Sequence, residues 1–244
     1  MKNIAIIFAG GVGSRMENAS KPKQFLEIDR KPIIIHTIEK FEKCNMIDAI
    51  SVACHESYID MLTGLIKKYR IKKVKWIVKG GESGQISIFN AINAVNTSIQ
   101  NNSDVVVLIH DGVRPAIDEK LILENIVTAR TKGNAITVAK AIETMFVSYD
   151  HKNIDEVLSR ENMYLARAPQ TFFLNELYDL HIKEIDLGNN NNIDSCSMFH
   201  KHGKKLNFIK GKSSNIKITT YEDYYIYKAL YELEERRNQD EMLS

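Results

Sequence analysis

Asn3 to Gly13 reads Asn-Ile-Ala-Ile-Ile-Phe-Ala-Gly-Gly-Val-Gly, an apolar run that ends in a glycine-rich loop. An apolar run without alternation predicts a strand that is buried on both faces of a sheet. Stretches with helical spacing separate it from further predicted strands at residues 49–54, 74–78, 105–109 and 135–139. The pattern predicts an α/β fold with a mostly parallel, Rossmann-like sheet, helices on both faces and a ligand site at the carboxyl ends of the strands.

The remaining elements are predicted from helical periodicity and from a change of pattern near residue 144. Helices are expected at residues 33–43, 58–69, 87–99, 119–132 and 221–239, and one more strand at 216–219. Two short strand-like pieces, 145–149 and 155–158, flank a polar stretch and predict a hairpin arm over about residues 142–166. This arm serves either as a surface decoration or as a dimerisation arm. The chain is expected to form a single domain, residues 1–244.

Charge and composition exclude several classes of function. The chain of 244 residues has 33 basic and 31 acidic side chains, a net charge of +2, so a nucleic-acid partner is not expected. Its apolar stretches are shorter than the ~18 residues of a transmembrane helix, and the N-terminal run is too short for a signal peptide. Three cysteines without a paired spacing argue against a disulfide framework and a thiolate metal site. We expect a cytoplasmic protein with no membrane partner.

The glycine-rich loop after the first strand predicts a phosphate site. Met16 stands where a dinucleotide-binding fingerprint needs its third glycine, and the Gly-Lys-Ser/Thr ending of a P-loop is absent. Glycines leave backbone N–H groups open to an anion, and Arg15 and Lys23 add full charges beside them. This combination fits a triphosphate that is attacked at its α-phosphorus. A glycine turn beside a solvated basic stretch is the alternative.

The motifs of the chain carry a resemblance to a known family. Ala9-Gly10-Gly11-Val12-Gly13-Ser14-Arg15-Met16, followed by Pro22-Lys23-Gln24, resembles the signature of the cytidylyltransferases that activate methylerythritol phosphate and ribitol phosphate. The match continues in chain order with Gly80-Gly81-Glu82, residues 110–115, Arg160, Ala168-Pro169-Gln170 and residues 215–219. The resemblance implies a nucleotidyltransferase fold and a homodimer joined through the arm. It also implies a Mg²⁺-dependent attack of a polyol phosphate on CTP, with release of pyrophosphate.

The resemblance assigns the triphosphate to cationic side chains and the base to a second glycine loop. It implies that Arg15, Lys23 and Lys217 are the catalytic residues, which hold the triphosphate and stabilise the transition state. The nucleotide-binding residues that it implies are Ala9, Gly10, Gly11, Gly13 and Ser14 in the first loop and Gly80, Gly81, Glu82 and Ser87 in the base-reading loop. Structural turn glycines are the alternative for residues 80–81.

The resemblance places the acceptor beyond the predicted strand 105–109. It implies that Asp111 and Arg114 bind the acceptor, and that Thr144 and Arg160 join them from the arm of the neighbouring subunit. A carboxylate at position 111 can lie near Mg²⁺ or accept from acceptor hydroxyls, and an ordinary helix cap is the alternative. Arg160 can equally be a surface arginine. An obvious catalytic triad is not required, because a phosphate monoester, with a second pKa of about 6, is largely dianionic at neutral pH.

Two positions depart from the family pattern. Ala168 stands where the family usually has Thr, so the acceptor-phosphate site lacks one hydroxyl, and Gly112 stands where Ala is usual, which predicts extra room beside Asp111. Residues 31–41 resemble the ribitol-phosphate enzymes more closely. We therefore expect an alditol-phosphate enzyme that supplies a surface polysaccharide, with ribitol 5-phosphate as the first acceptor and CDP-ribitol as product. Methylerythritol phosphate and glucitol phosphate are the alternatives.

Two other classes of function remain open from the sequence. A catalytically inactive scaffold would need none of the charged residues at positions 15, 23, 111 and 217, all of which are present. A hexose 1-phosphate nucleotidylyltransferase would use UTP or GTP, but the chain is short for that class. His36, His110 and Trp76 are expected to be core residues.

Overall fold

The computed structural model describes residues 1–11, 21–100, 102 and 104–243. The strands are β1 (Lys2–Ala9), β2 (Glu27–Ile28), β3 (Lys31–Pro32), β4 (Ala49–Cys54), β5 (Val74–Lys79), β6 (Val105–Asp111), β7 (Asn134–Lys140), β8 (Met145–Val147), β9 (Glu156–Leu158), β10 (Tyr164–Phe173) and β11 (Phe208–Lys210). The helices are α1 (Ile33–Lys43), α2 (Ile59–Lys68), α3 (Gly84–Ser98), α4 (Glu119–Lys132), α5 (Leu174–Asp186), α6 (Ser195–Lys201) and α7 (Tyr221–Leu243).

Within the described residues, seven strands form one mostly parallel sheet in the order β11-β7-β10-β6-β1-β4-β5. Strands β6, β1, β4 and β5 run parallel to one another, β11 runs parallel to β7, and β10 lies antiparallel between β6 and β7. The registers pair Phe8 with Asp111 and Ala9 with Cys54, so the carboxyl ends of β1, β4 and β6 lie side by side. The fold class that the sequence predicts is confirmed.

The core lies on both faces of this sheet. Ala5 and Ile7 of β1 pack in one apolar cluster with α1, α2 and α4, whereas Ile4 and Ile6 pack in a second cluster with α3, α5 and α6. All four side chains are at most 1% exposed. Burial on both faces explains why the first strand is a continuous apolar run.

Most predicted elements are confirmed, and α1, β4 and α4 have the bounds that the sequence predicts. Helix α3 begins at Gly84, before the predicted start, because the Ser83 hydroxyl caps it by accepting from the Ile86 N–H at 3.2 Å. The predicted strand at 216–219 is wrong. This segment pairs with no strand of the described residues; the Ile218 N–H instead donates to the Val113 carbonyl at 2.9 Å, and the Ile218 side chain is buried.

The predicted hairpin arm is present as the pair β8 and β9, in which Met145 faces Leu158 and Phe146 faces Val157. Its polar turn is held by the Asp150 carboxylate, which accepts from the N–H groups of Lys152 and Asn153 at 2.8 Å each. Whether the arm joins two subunits, and whether residues 1–244 act as one domain, stay predictions. No helix within the described ranges is long and apolar enough to cross a membrane.

Candidate active site

A cavity of about 1130 Å³ lies at the carboxyl ends of the parallel strands. It brings together seven residues that the sequence assigns to the nucleotide: Ala9, Gly10, Gly11, Gly80, Gly81, Glu82 and Ser87. Lys23, Lys217 and Asp111 line the same cavity. Gly13, Ser14 and Arg15 lie outside the described residues, so their assignments stay predictions.

The two glycine loops of this cavity touch each other. A Cβ atom on Gly80 would lie 2.9 Å from the Gly10 Cα, and one on Gly10 would lie 2.6 Å from the Ser87 Oγ. The Ser87 hydroxyl accepts from the Gly81 N–H at 3.0 Å and donates to the Ser83 carbonyl at 2.9 Å. Glycine is therefore needed here for close packing of the loops, and this packing fixes the backbone that lines the cavity.

We expect Gly80→Ala to raise the KM for CTP about tenfold or more. The new methyl group would press on the Gly10 backbone and push the two loops apart, and a displacement of about 1 Å in a binding site can cost on the order of 10²-fold in rate. Steady-state kinetics with varied CTP measure the effect.

Gly64→Ala is the matched control for this change. Gly64 lies within α2, and a Cβ there meets no described atom within 4 Å. The control should leave the KM for CTP unchanged and stabilise the fold by roughly 0.5–1 kcal/mol, because alanine is the better helix residue. Equal CTP kinetics for Gly80→Ala and the wild type would refute this account of the loops.

The side chain of Gln24 holds the first glycine loop by hydrogen bonds, a role that the sequence analysis missed. This side chain is 1% exposed, and its amide nitrogen donates to the carbonyls of Ala9 and Gly11 at 3.1 Å each. Gln24 follows Lys23 in the short 3₁₀ turn Lys23–Phe25, so the same turn fixes the loop and brings Lys23 to the cavity wall. The Pro-Lys-Gln motif was the available signal.

Asp111 lies between two cations at the end of β6. Its carboxylate is 3.1 Å from Arg114 Nε and 2.6 Å from Lys217 Nζ. Burial raises the pKa of Asp111, but the charges of Arg114 and Lys217 outweigh it and hold the value at about 2. Asp111 is therefore ionised at neutral pH and fixes the positions of both cations.

Asn215 brings the segment of Lys217 to this carboxylate. The Asn215 carbonyl accepts from Arg114 Nη1 at 2.7 Å, and its side-chain amide donates to the Ala168 carbonyl at 2.8 Å. These bonds tie the segment to β10 and to Arg114, so that Lys217 reaches Asp111 although its own segment pairs with no described strand. The sequence places Asn215 in a matching motif but gives it no role.

A second cavity of about 260 Å³ adjoins the first and shares Phe8, Gly84, Asp111 and Lys217 with it. Arg114 and Ala168 line only this smaller cavity. It therefore holds three of the residues that the sequence connects with the acceptor. Lys217 and Asp111 mark the place where the two cavities meet.

Thr144 and Arg160 line neither cavity as far as the described residues define them. Both side chains are exposed on the arm, and Arg160 Nη1 donates to the Ile142 carbonyl at 3.3 Å. The structure of one subunit does not bring them to Asp111, and their role in acceptor binding stays a prediction.

The described side chains do not fit a protein-held metal centre. No cluster of three His, Cys, Asp or Glu residues within the described ranges could hold a metal ion. Asp111, the residue that the sequence suggests as a metal ligand, already accepts from Arg114 and Lys217. These contacts favour a positioning role for Asp111, and its metal role stays a prediction.

Three further predictions from the sequence, for His110, His36 and Gly112, can be compared with the structure. His110 is fully buried with Nε2 2.9 Å from the Arg114 carbonyl, and His36 is buried with Nε2 2.9 Å from the Ile28 carbonyl, so both are core residues as predicted. The prediction that Gly112 leaves extra room beside Asp111 is wrong. A Cβ on Gly112 would lie 2.9 Å from the Ala9 Cβ, so the space at Gly112 is filled by β1.

Comparisons with known proteins place the chain in a family. The family model described as IspD, 2-C-methyl-D-erythritol 4-phosphate cytidylyltransferase, matches residues 3–232. A ribitol-5-phosphate cytidylyltransferase of Vibrio parahaemolyticus serotype O3:K6 is 46% identical over 234 residues, covering 96% of this chain and 97% of the relative. The ribitol-5-phosphate cytidylyltransferase of Streptococcus agalactiae serotype V is 43% identical over 235 residues with the same coverage.

Solved structures show the same fold. The 4-diphosphocytidyl-2C-methyl-D-erythritol synthase of Anaerococcus prevotii superposes with a TM-score of 0.80 at 26% identity, covering 95% of this chain and 96% of that one. The 2-C-methyl-D-erythritol 4-phosphate cytidylyltransferase of Francisella tularensis superposes with a TM-score of 0.76 at 25% identity, covering 93% of this chain and all of that one. The chain therefore shares its fold with these solved structures.

Proposed function

Because the chain belongs to the IspD family of 2-C-methyl-D-erythritol 4-phosphate cytidylyltransferases, we propose that it transfers CMP from CTP to ribitol 5-phosphate. An oxygen of the acceptor phosphate forms a bond to the α-phosphorus of CTP. The bond from that phosphorus to the oxygen bridging to the β-phosphorus breaks, and pyrophosphate leaves. The observation that carries this proposal is the meeting of two cavities at Asp111 and Lys217, one large enough for a nucleotide and one smaller.

Ribitol 5-phosphate is chosen as acceptor for two reasons. Relatives at 42–46% identity over nearly the whole chain are named for that substrate. Ala168, which lines the smaller cavity, stands where the family pattern that the sequence resembles usually has a threonine, which favours an acceptor other than methylerythritol phosphate. The same acceptor would make the product CDP-ribitol, a donor for a surface polysaccharide.

The residues present supply fixed positive charge. Lys23 and Lys217 line the cavity proposed for CTP. Lys217 also lies at the boundary of the two cavities, where the α-phosphate of CTP would meet the acceptor phosphate. Negative charge increases at the α-phosphate as the acceptor oxygen approaches, so cations held in place beforehand stabilise the transition state. Asp111 holds Lys217 and Arg114 there, at 2.6 and 3.1 Å. Arg15 is proposed to act on the triphosphate from the first loop.

Mg²⁺ is proposed to enter together with CTP. Mg²⁺ commonly takes most of its ligands from substrate phosphates and water, which agrees with a chain whose described residues offer no three-residue metal cluster. When bound, the ion would neutralise charge on the triphosphate. The steps assigned to Lys23, Lys217, Arg114 and Asp111 do not depend on where it lies.

We propose that the arm joins two subunits in the cytoplasm, where CTP is made. Phe146, Ile154 and Val157 of the arm are 54%, 62% and 63% exposed, and clustered exposed apolar side chains mark interaction sites. A partner subunit there would let Thr144 and Arg160 reach an acceptor that their own subunit does not offer them. Analytical ultracentrifugation should show a wild-type dimer and a Val157→Asp monomer; a wild-type monomer would contradict the proposal.

The acceptor is tested by measuring pyrophosphate release from CTP with ribitol, methylerythritol, glucitol and glycerol phosphates. We expect the highest kcat/KM with ribitol 5-phosphate, and a strong preference for CTP over UTP and GTP. Turnover chiefly with methylerythritol phosphate would replace the proposed acceptor with the one in the family description. Failure to release pyrophosphate with every acceptor would support the inactive scaffold instead.

A further inference from the structure

The smaller cavity extends away from the proposed reaction centre, between α3, β10, α5 and α6. Its volume, about 260 Å³, lies just below the ~300 Å³ at which small-molecule pockets begin. Ile88, Ile109 and Met198 contribute apolar walls. Such a cavity suits a ligand of a few carbon atoms rather than a nucleotide.

Three residues that line this cavity, His181, Ser195 and Arg167, carry buried polar atoms without a hydrogen-bond partner within the described ranges. Both ring nitrogens of His181, the Ser195 hydroxyl and the Arg167 Nε are buried, and none has a hydrogen-bond partner among the described residues. His181 and Ser195 are 1% and 3% exposed. An unpaired buried polar group costs roughly 1–3 kcal/mol, so such groups are normally paired. The pattern indicates a ligand that supplies the missing partners.

The other polar side chains on the same wall are already engaged. The Gln170 amide donates to the Asp194 carboxylate at 2.8 Å and accepts from the Cys196 N–H at 2.9 Å. Asp194 also accepts from the Ser197 N–H at 2.8 Å, which caps α6. Among the described residues that line this cavity, His181, Ser195 and Arg167 therefore have polar atoms left to bind a ligand.

The chemistry of the unpaired atoms favours hydroxyl groups. Burial lowers the pKa of His181 to about 4, so the ring is neutral at physiological pH and carries one donor and one acceptor. Its ring stacks on Phe89 with centroids 6.0 Å apart, which fixes the plane in which it can bond. Serine likewise donates and accepts. A hydroxyl group matches both, whereas an anion would use only their donors.

The position of the smaller cavity indicates which part of the acceptor can enter it. An acceptor phosphate beside Lys217 would stand where the two cavities meet, and CTP would occupy the larger one. Arg114 and Arg167 line the smaller cavity near this boundary, and burial together with the charge of Arg114 lowers the pKa of Arg167. The carbon chain of the acceptor is left with the smaller cavity.

We propose that His181 and Ser195 bind the distal hydroxyl groups of the polyol chain and thereby determine acceptor specificity, an inference that rests on the proposed function. Arg167 adds a contact near the phosphate end. The phosphate lies beside Arg114 and Lys217, and the chain runs from there between α5 and α6.

The test compares His181→Leu, Ser195→Ala and the wild type in steady-state kinetics with ribitol 5-phosphate and CTP. We expect kcat/KM for ribitol 5-phosphate to fall about tenfold for each variant, the loss of one to two buried hydrogen bonds. The KM for CTP should stay within about twofold of the wild type. Glycerol 3-phosphate, which carries a phosphate without the distal hydroxyls, should inhibit all three proteins with the same inhibition constant.

A stability measurement separates ligand binding from a structural role. Without ligand, His181→Leu should melt no lower than the wild type, because leucine removes two unpaired buried atoms. His200→Leu, the same change at an exposed position of α6, is the control and should leave the kinetics unchanged.

Unchanged acceptor kinetics in both variants would overturn the inference, and so would losses shared equally by CTP and the acceptor. Neither result would touch the proposed function, since the wild-type enzyme would still turn over ribitol 5-phosphate. A wild-type protein without activity toward any polyol phosphate would overturn the proposed function itself. If another polyol phosphate proves the better acceptor, the same comparison is made with that compound.

Discussion

Lys217→Met is expected to lower kcat for pyrophosphate release by about 10²–10³-fold, the usual effect of removing one preorganised charge from a transition state. Lys217 lines both cavities, and its ammonium group lies 2.6 Å from the Asp111 carboxylate. Methionine keeps the length and apolar stem of the side chain but cannot meet the charge that develops at the α-phosphate. Single-turnover measurements at saturating CTP would report the chemical step directly.

Lys212→Met is the matched control for this prediction. Lys212 lies five residues earlier, is 72% exposed and pairs with Asp118 at 2.7 Å. Surface pairs of this kind contribute ~0–1 kcal/mol to stability, so the control should keep its rate. If Lys217→Met lost no more activity than Lys212→Met, the assignment of Lys217 to the reaction centre would have to be abandoned.

Asp111→Asn is expected to lower both stability and activity. Removing one partner of a buried charge pair costs about 3–5 kcal/mol, because the remaining charge is left without compensation. Arg114, whose side chain is 6% exposed, would lose its carboxylate, and Lys217 would lose the group that positions it. At ~2–4 °C per kcal/mol for a chain of this size, the melting temperature should fall by roughly 10 °C.

The pH dependence gives this prediction a second readout. The pKa of Asp111 is held at about 2, below its ordinary value of 3.8, so ionised Asp111 stabilises the fold at neutral pH. That contribution is present above pH 4 and is lost as the pH falls from about 4 towards 2. The difference in melting temperature between the wild type and Asp111→Asn should therefore shrink over this range.

Glu176→Gln serves as the control for the loss of a carboxylate. Glu176 pairs with Lys204 at 2.7 Å, and both side chains are substantially exposed. Its melting temperature should stay close to that of the wild type. A drop for Glu176→Gln as large as that for Asp111→Asn would show that burial of the Asp111 cluster has no special effect.

The parts of the fold that the sequence predicts well are those with a strong local pattern. Helix α1 has its predicted bounds because its apolar side chains repeat at helical spacing. Strands β4 and β6 are mostly apolar because all of their residues are buried. Strand β10 escaped prediction. Its first residues, Tyr164 to Ala166, are exposed, Pro169 interrupts it, and its partners β6 and β7 come from distant parts of the chain.

In the candidate site, too, the sequence predicts the residues that belong to a recognisable local pattern and misses the others. Glycine loops and charged residues after parallel strands predict one site, because the carboxyl ends of neighbouring strands meet at one edge. His181 and Ser195 gave no comparable signal, since a histidine on a helix face looks the same in sequence whether its nitrogens are paired or not. The role of Gly112 was also beyond the sequence, because only the packing of β1 shows that Ala9 fills the space.

The most direct test of the central claim is ³¹P NMR of the purified protein with CTP, Mg²⁺ and ribitol 5-phosphate. The account predicts that the CTP and ribitol phosphate resonances disappear together. They should be replaced by pyrophosphate and by the two coupled resonances of the diphosphate in CDP-ribitol. Unchanged ribitol 5-phosphate would contradict the account, whether a parallel sample with methylerythritol phosphate is converted or no polyol phosphate is converted at all.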